Sequence, residues 1–180
     1  MKTILLGLGS NTYFLGKNPV GLLAAACRDL QGLLRSPVFS CVYESRPMYV
    51  ENQENFFNMA VKGFAEDSAD PFVFLEKIHR IEKKYGRDRD REIRFGPRPL
   101  DIDIEEFGGM VVDEPPELIL PHPRVKERQF VLLPALEILT TSADEQLRAM
   151  FREFLSGLPD QGVKKCPEKI QVQFRKELER

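Results

Sequence analysis

The most regular alternation of apolar and polar positions in the chain is Leu100-Asp101-Ile102-Asp103-Ile104. A period of two reads as a β-strand with one buried and one polar face, and both aspartates fall on the polar one. Beyond it, strict alternation would place Glu105 beside the aspartates and Glu106 on the apolar face. An unpaired charge there is costly, so the strand is expected to end at Ile104. Upstream, residues 3–8 form a continuous apolar run closed by the turn cluster Gly9-Ser10-Asn11, which predicts a buried strand. Val20, Leu23, Cys27, Leu30 and Leu34 recur at steps of three and four and predict a helix over 18–34. Asn18 caps it, Pro19 opens it and Pro37 ends it. Residues 38–43 and 56–64 are expected as strands. In the second of these Phe56 and Asn58 point the same way, opposite Phe57, Met59 and Val61. Asp70-Pro71 starts a helix running to about Tyr85, with Phe74, Ile78, Ile81 and Tyr85 as its buried stripe and Gly86 as its stop. An amphipathic helix is predicted over 143–156, and the alternation of Ile170, Val172 and Phe174 predicts a last strand.

The order β-α-β-β-α-β with a helical C-terminal part suits an α+β, ferredoxin-like sandwich with additional C-terminal helices. At 180 residues a single domain is expected, with a core over about 3–140 and an extension over about 141–180.

Composition narrows the function. A net charge of −2 gives no global electrostatic case for nucleic acid or for an anionic membrane. The apolar run at residues 4–9 is too short for a signal-peptide core or a membrane span, so no targeting segment is expected. Cys27, Cys41 and Cys166 are odd in number and lack metal-ligand spacing. Cys27 and Cys41 lie in apolar patterns, so buried free thiols in a reducing, cytoplasmic compartment are expected. Two histidines in the chain argue against a His-rich metal site.

The chemistry gathers around the Asp101-x-Asp103 strand. Oxygen ligands on one face suit hard cations such as Mg²⁺. Directly before it, residues 87–98 hold five arginines interleaved with acids and end in the turn Gly96-Pro97-Arg98. Carboxylates for a metal beside arginines for phosphate are the parts of a phosphoryl-transfer site. On the 56–64 strand, Phe56 offers a ring to stack on, and Asn58 a donor–acceptor pair for the edge of a flat heterocycle. The helix ahead of the arginine loop places His79 and Glu82 on one face.

Phe95-Gly96-Pro97-Arg98 leading into Asp101-x-Asp103 resembles the signature of the 6-hydroxymethyl-7,8-dihydropterin pyrophosphokinase family. The Pro121-His122 block followed by Arg128 and Phe130 is similar to its second hallmark, and the resemblance covers roughly residues 3–140. It implies a ferredoxin-like fold and transfer of pyrophosphate from ATP to the pterin hydroxymethyl group, releasing AMP in folate biosynthesis. Two Mg²⁺ would be held by Asp101 and Asp103, with ATP as co-substrate. Arg87 and Arg98 would act in catalysis beside the two aspartates. Ser45, Met48, Phe56, Asn58, Phe95 and Phe130 fall on pterin-binding positions, and Glu82, Arg87, Arg98, Ile104, His122 and Arg128 on ATP-binding ones. The partners implied are these two small molecules, with neither nucleic acid nor membrane; a monomer is expected, with an oligomer left open by the sequence. Arg46 stands where the family has proline, His79 where glutamine is common, and Glu105-Glu106 where apolar residues are usual. The loop is about one residue longer than the bacterial pattern, which leaves Arg89 and Arg91 without an assignment. Two other readings remain open: another Mg²⁺-dependent nucleotide phosphotransferase, or a diverged ligand-binding module that kept the pocket and lost catalysis. An RNA-binding module fits least, because the basic, aromatic sheet pattern is missing.

Overall fold

The computed structural model describes residues 1–48, 50, 52–89 and 96–180. In chain order these form β1 (Lys2–Ser10), α1 (Pro19–Gln31), β2 (Arg35–Phe39), β3 (Tyr43–Ser45), β4 (Phe56–Ala65), α2 (Pro71–Lys84), β5 (Asp101–Phe107), β6 (Val112–Glu114), β7 (Leu118–Leu120), α3 (Gln129–Ile138), α4 (Glu145–Ser156), β8 (Lys164–Lys165) and α5 (Glu168–Leu178). The main sheet is antiparallel with order β5-β1-β4-β3-β8, and β2 also pairs with β4. That is the expected ferredoxin-like arrangement, with β6 and β7 forming a separate hairpin. No described helix is long and apolar enough to cross a membrane.

Register sorts the side chains onto two faces. Ile4, Leu6, Leu8, Met59, Val61, Ile102 and Ile104 join one core with α1 and α2. Leu5 and Ala60, on the other face, pack instead against Val131, Leu132 and Ala135 of α3 and Phe151 of α4. Gly7 pairs with Ala60 and Asp103, and Gly9 with Asn58 and Asp101, so these residues continue the second face beyond the reach of α3 and α4. One end of this face is thus covered by helices, and the other is left for a site.

The helix starts follow their sequence signals. Asn18 Oδ1 accepts the Gly21 amide at 2.8 Å, and Asp70 Oδ1 accepts those of Phe72 and Val73 at 2.8 and 3.0 Å. Gly86, at φ +90°, ends α2: its amide reaches the Lys83 carbonyl and that of Arg87 the Glu82 carbonyl, at 3.1 and 3.0 Å. A side chain there would also run into the Phe14 ring.

Four expectations are corrected. Helix α1 stops at Gln31 rather than 34, and Pro37 lies inside β2, a short strand where its missing amide is tolerated. The single strand expected over 38–43 is two strands, β2 and β3, and between them Ser40 Oγ accepts the Ala60 amide at 2.9 Å. Strand β5 runs on to Phe107, because a bulge intervenes: Leu6 faces Ile104 while Leu5 faces Glu106, leaving Glu105 as the extra residue. The bulge moves Glu106 off the α1/α2 face and returns Phe107 to it. Glu106 is buried, and its carboxylate accepts the Gly109 amide of the following turn. Finally, residues 170–174 are helical. Ile170, Val172 and Phe174 are spaced by two, but Ile170, Phe174 and Leu178 are spaced by four, and as part of α5 these last three pack against α1. The three cysteines are free; Cys27 and Cys166 are buried, whereas Cys41 is only half-buried.

Candidate active site

The open end of the sheet face is a cavity of about 230 Å³. Its floor is the backbone of Gly7 and Gly9, and its walls include Ser45, Met48, Phe56, Asn58, Arg87, Arg98, Asp101, Asp103, Glu105, His122, Arg128 and Phe130. Eleven candidates from three stretches of sequence therefore meet at one place, with Glu105 added to them, although pockets for small-molecule ligands usually hold 300–1,000 Å³. A second cavity of about 790 Å³ shares Arg87 and Arg89 with it and adds His79, Glu82 and Asp88.

Two Phe–Arg–Asp triples frame the main cavity. The Arg98 guanidinium lies 5.8 Å from the Phe56 ring centre, and its Nη1 is 2.7 Å from Asp101 Oδ2. In the second triple, the Arg128 guanidinium lies 5.5 Å from the Phe130 ring centre, and its Nη1 is 3.0 Å from Asp103 Oδ2. Both arginines thus hold a carboxylate on one side and an aromatic face on the other.

Arg87 is placed by the end of α2. The left-handed Gly86 folds it back so that Nη1 reaches Glu82 Oε1 at 3.1 Å and the Leu100 carbonyl at 3.2 Å, besides pairing with Asp101. Glu82 also accepts Arg89 Nη2 at 2.5 Å and the Ile102 amide at 2.9 Å. Burial pushes the Glu82 carboxyl up to about 7, against the pull of Arg87 and Arg89. Burial would raise Asp101 too, but Arg87 and Arg98 outweigh it and hold that carboxyl below its ordinary value.

His122 stands between two acids: Nε2 is 4.0 Å from Asp103 Oδ2, and Nδ1 is 3.8 Å from Glu105 Oε2. Nδ1 accepts the Arg124 amide at 3.2 Å, so the neutral ring carries its proton on Nε2, facing the cavity side. Burial and then Arg128 lower the imidazole below its ordinary value, with Asp103 opposing. Burial and then Asp103 drive Glu105 well above the usual carboxylate range.

Asn58 donates to Ser45 Oγ at 2.9 Å, which fixes its amide at the Phe56 end of the cavity. Asn11 is a residue that local reading passed over as part of a turn. Its Oδ1 accepts the Arg98 amide at 2.8 Å, and its own amide donates to the Arg98 carbonyl at 3.1 Å. Its side-chain amide holds Gln53 Oε1 and the Glu54 carbonyl at 3.0 and 3.1 Å. Asn11 therefore pins the Gly-Pro-Arg turn to the segment between β3 and β4, a substrate loop by the family resemblance; burial after a strand end is its only local signal. Two candidates stay outside the main cavity. Ile104 is buried in the α1/α2 core, and Glu82 reaches the site through Arg87 and Arg89. Phe95 and Arg91 lie outside the described residues.

As it stands, no group of three or more His, Cys, Asp and Glu side chains among the described residues is gathered to hold a metal. Yet Asp101 and Asp103 share a face at strand spacing, and both present oxygens to the cavity. Once phosphate draws off their arginines, this oxygen donor set fits a hard divalent cation.

A family model described as 7,8-dihydro-6-hydroxymethylpterin-pyrophosphokinase (HPPK) matches residues 5–140. Among curated relatives, the 2-amino-4-hydroxy-6-hydroxymethyldihydropteridine pyrophosphokinase of Aquifex aeolicus is 35% identical over 154 residues, covering 86% of this chain and 91% of that one. The Bacillus subtilis protein of the same name is 46% identical over 99 residues, covering 55% and 56%. A folate synthesis bifunctional protein of Arabidopsis thaliana is 40% identical over 102 residues, 57% of this chain but 20% of that longer one. The chain thus spans only a fifth of that bifunctional relative. A crystal structure of Plasmodium falciparum HPPK-DHPS superimposes with a TM-score of 0.58 at 16% identity, over 86% of this chain and 45% of that one, which supports the fold alone. With the family model matched over well more than half its length, this chain belongs to the 7,8-dihydro-6-hydroxymethylpterin-pyrophosphokinase family.

Proposed function

We propose that this chain transfers a diphosphate group from ATP to the hydroxymethyl group of 6-hydroxymethyl-7,8-dihydropterin, releasing AMP. The observation that carries the reading is the pair of Phe–Arg–Asp triples that line one cavity. Phe56 and Phe130 offer two faces for a flat heterocycle, and Asn58 beside Ser45 offers the donors and acceptors that read its edge. Arg87, Arg98 and Arg128 supply planar donors for phosphate oxygens. When they turn to the triphosphate, Asp101 and Asp103 are released to bind cation. Two Mg²⁺ bound there would supply charge neutralisation on the phosphates and lower the pKa of a coordinated hydroxyl.

The chain's own groups do the positioning. Asn11 holds Arg98 against the substrate loop, and Glu82 holds Arg87 over Asp101. His122 presents its Nε2 proton to a phosphate oxygen. The pterin hydroxyl oxygen attacks the β-phosphorus and loses its proton to solvent, while the bond from that phosphorus to the α,β-bridging oxygen breaks and the oxygen leaves with AMP. Orientation and fixed positive charge carry most of such a transfer, so a strong general base is not required.

The deciding measurement is AMP release from ATP and Mg²⁺ with and without 6-hydroxymethyl-7,8-dihydropterin. Pterin-dependent AMP together with a diphosphorylated pterin is the expected result. AMP or ADP formed equally without pterin would overturn it in favour of another nucleotide phosphotransferase.

A further inference from the structure

We propose that Glu105 is a third carboxylate ligand for a divalent cation, set deeper in the cavity than Asp101 and Asp103. The inference deepens the pyrophosphokinase reading and rests on it. The Glu105 side chain is 1% exposed, against 22% for Asp101 and 34% for Asp103. It lines the same cavity, yet neither of its oxygens has a hydrogen-bond partner among the described residues. A buried carboxylate in that condition is a group waiting for a ligand.

The fold holds it there. The bulge in β5 inserts Glu105 as the extra residue, and the His122 amide grips its carbonyl at 3.1 Å, so the backbone cannot turn the side chain away. Room for the carboxylate comes from Gly7 on the neighbouring strand. A Cβ at that position would stand 2.7 Å from Glu105 Oε1.

The chemistry of the surroundings selects a cation. Asp103 lies two residues away on the same strand, and His122 is within 4.0 Å of both acids. Arg128 already serves Asp103 and Phe130. Once ionised, a third acid beside an incoming triphosphate would repel it, unless positive charge sits between them. The cation site is not assembled in advance: Asp103 must leave Arg128 first, and Glu105 is the acid that no described arginine hydrogen-bonds.

The test titrates Mn²⁺, followed by the electron paramagnetic resonance of the free ion, against protein saturated with α,β-methylene-ATP. Parent, Glu105→Gln and Asp103→Asn chains are compared, and thermal melts with Mn²⁺ alone are run beside them. Glu105→Gln is expected to weaken the tightest Mn²⁺ by about tenfold or more. It is also expected to lose the Mn²⁺-induced rise in melting temperature, while its melting temperature without metal is no lower than the parent's. Parental Mn²⁺ affinity in Glu105→Gln, with binding lost only in Asp103→Asn, would overturn the Glu105 assignment alone. A metal-free melting temperature well below the parent's in both Glu105→Gln and Glu105→Met would overturn it as a structural role. Absence of Mn²⁺ binding to the parent with the analogue would instead overturn the pyrophosphokinase reading itself.

Discussion

One face of the sheet carries buried charge at both ends. Lys62 and Asn58 lie on the same side of β4, four residues or roughly 13 Å apart. At the end covered by α3 and α4, Lys62 Nζ meets Asp144 Oδ2 at 2.6 Å, and both side chains are almost wholly buried. The same oxygen accepts the Thr141 amide and hydroxyl at 2.9 and 2.8 Å. One cation meets one anion, and the acid is fully served. At the open end the charges do not pair off in this way: Asp101 takes Arg87 and Arg98, Glu82 takes Arg87 and Arg89, and Glu105 takes none among the described residues. A closed pair buried under two helices holds the fold together. An unequally shared set at a cavity is arranged for charges that arrive later.

The sharpest break between the two clusters is Asp101→Asn. Asparagine keeps the size and an acceptor for Arg98, and Arg87 retains Glu82 and the Leu100 carbonyl, so the fold should persist. Pterin-dependent AMP release should nonetheless fall on the order of 10³-fold, as when a group that stabilises transition-state charge is lost. Turnover at the parental rate with Mg²⁺ would remove Asp101 from the proposed site.

Lys62→Met is the mirror experiment at the closed end. It strands Asp144 in the interior and should cost about 3–5 kcal/mol of stability in urea unfolding, with turnover per folded molecule unchanged. Adding Asp144→Leu should recover most of the loss, because no lone charge is then buried. A double variant as unstable as the single one would mean the pair is more than a matched charge.

Acid should shrink the Lys62→Met deficit. Burial alone would raise Asp144, but Lys62 and Thr141 outweigh it and hold the carboxyl below its ordinary 3.8. In the parent, that stabilisation is complete above about pH 3.8 and is lost as pH falls through the depressed folded value. Without Lys62, burial dominates and the folded carboxyl rises above 3.8, so acid relieves the variant instead. The difference in urea midpoint between parent and variant should therefore be full at about pH 7 and smaller near pH 3.5. An equal difference at both would show that Asp144 does not carry it.

Alternation along the chain made most of this face legible, because a period of two needs only the identity of neighbours. Phe56 with Asn58, and Asp101 with Asp103, indeed share it. What alternation does not reveal is an inserted residue. The bulge at Glu105 reverses the faces of everything after it, and only pairing with β1 records the shift. Asn11 was illegible for another reason: its partners lie 42 to 87 residues away. Residues 170–178 satisfy two periods at once, and contact with α1 decides for the helix.

The smallest expected effect tests whether the aromatic walls belong to the open cluster at all. Phe56 precedes the buried part of β4, and its ring stands under Arg98 at the mouth of the cavity. If it were ordinary core, Phe56→Leu would lower stability and leave ligand binding alone. As a stacking face, it loses only the aromatic share of the contact, since leucine still fills apolar volume. That share is about 1 kcal/mol, or roughly a fivefold weaker pterin affinity by calorimetric titration. Affinity for α,β-methylene-ATP should change far less, because Arg98 keeps its hold on Asp101 Oδ2 at 2.7 Å whether or not the ring lies beneath it. Parental pterin affinity in Phe56→Leu would detach the ring from the site and leave Arg98 and Asp101 as a pair no different in kind from Lys62 and Asp144.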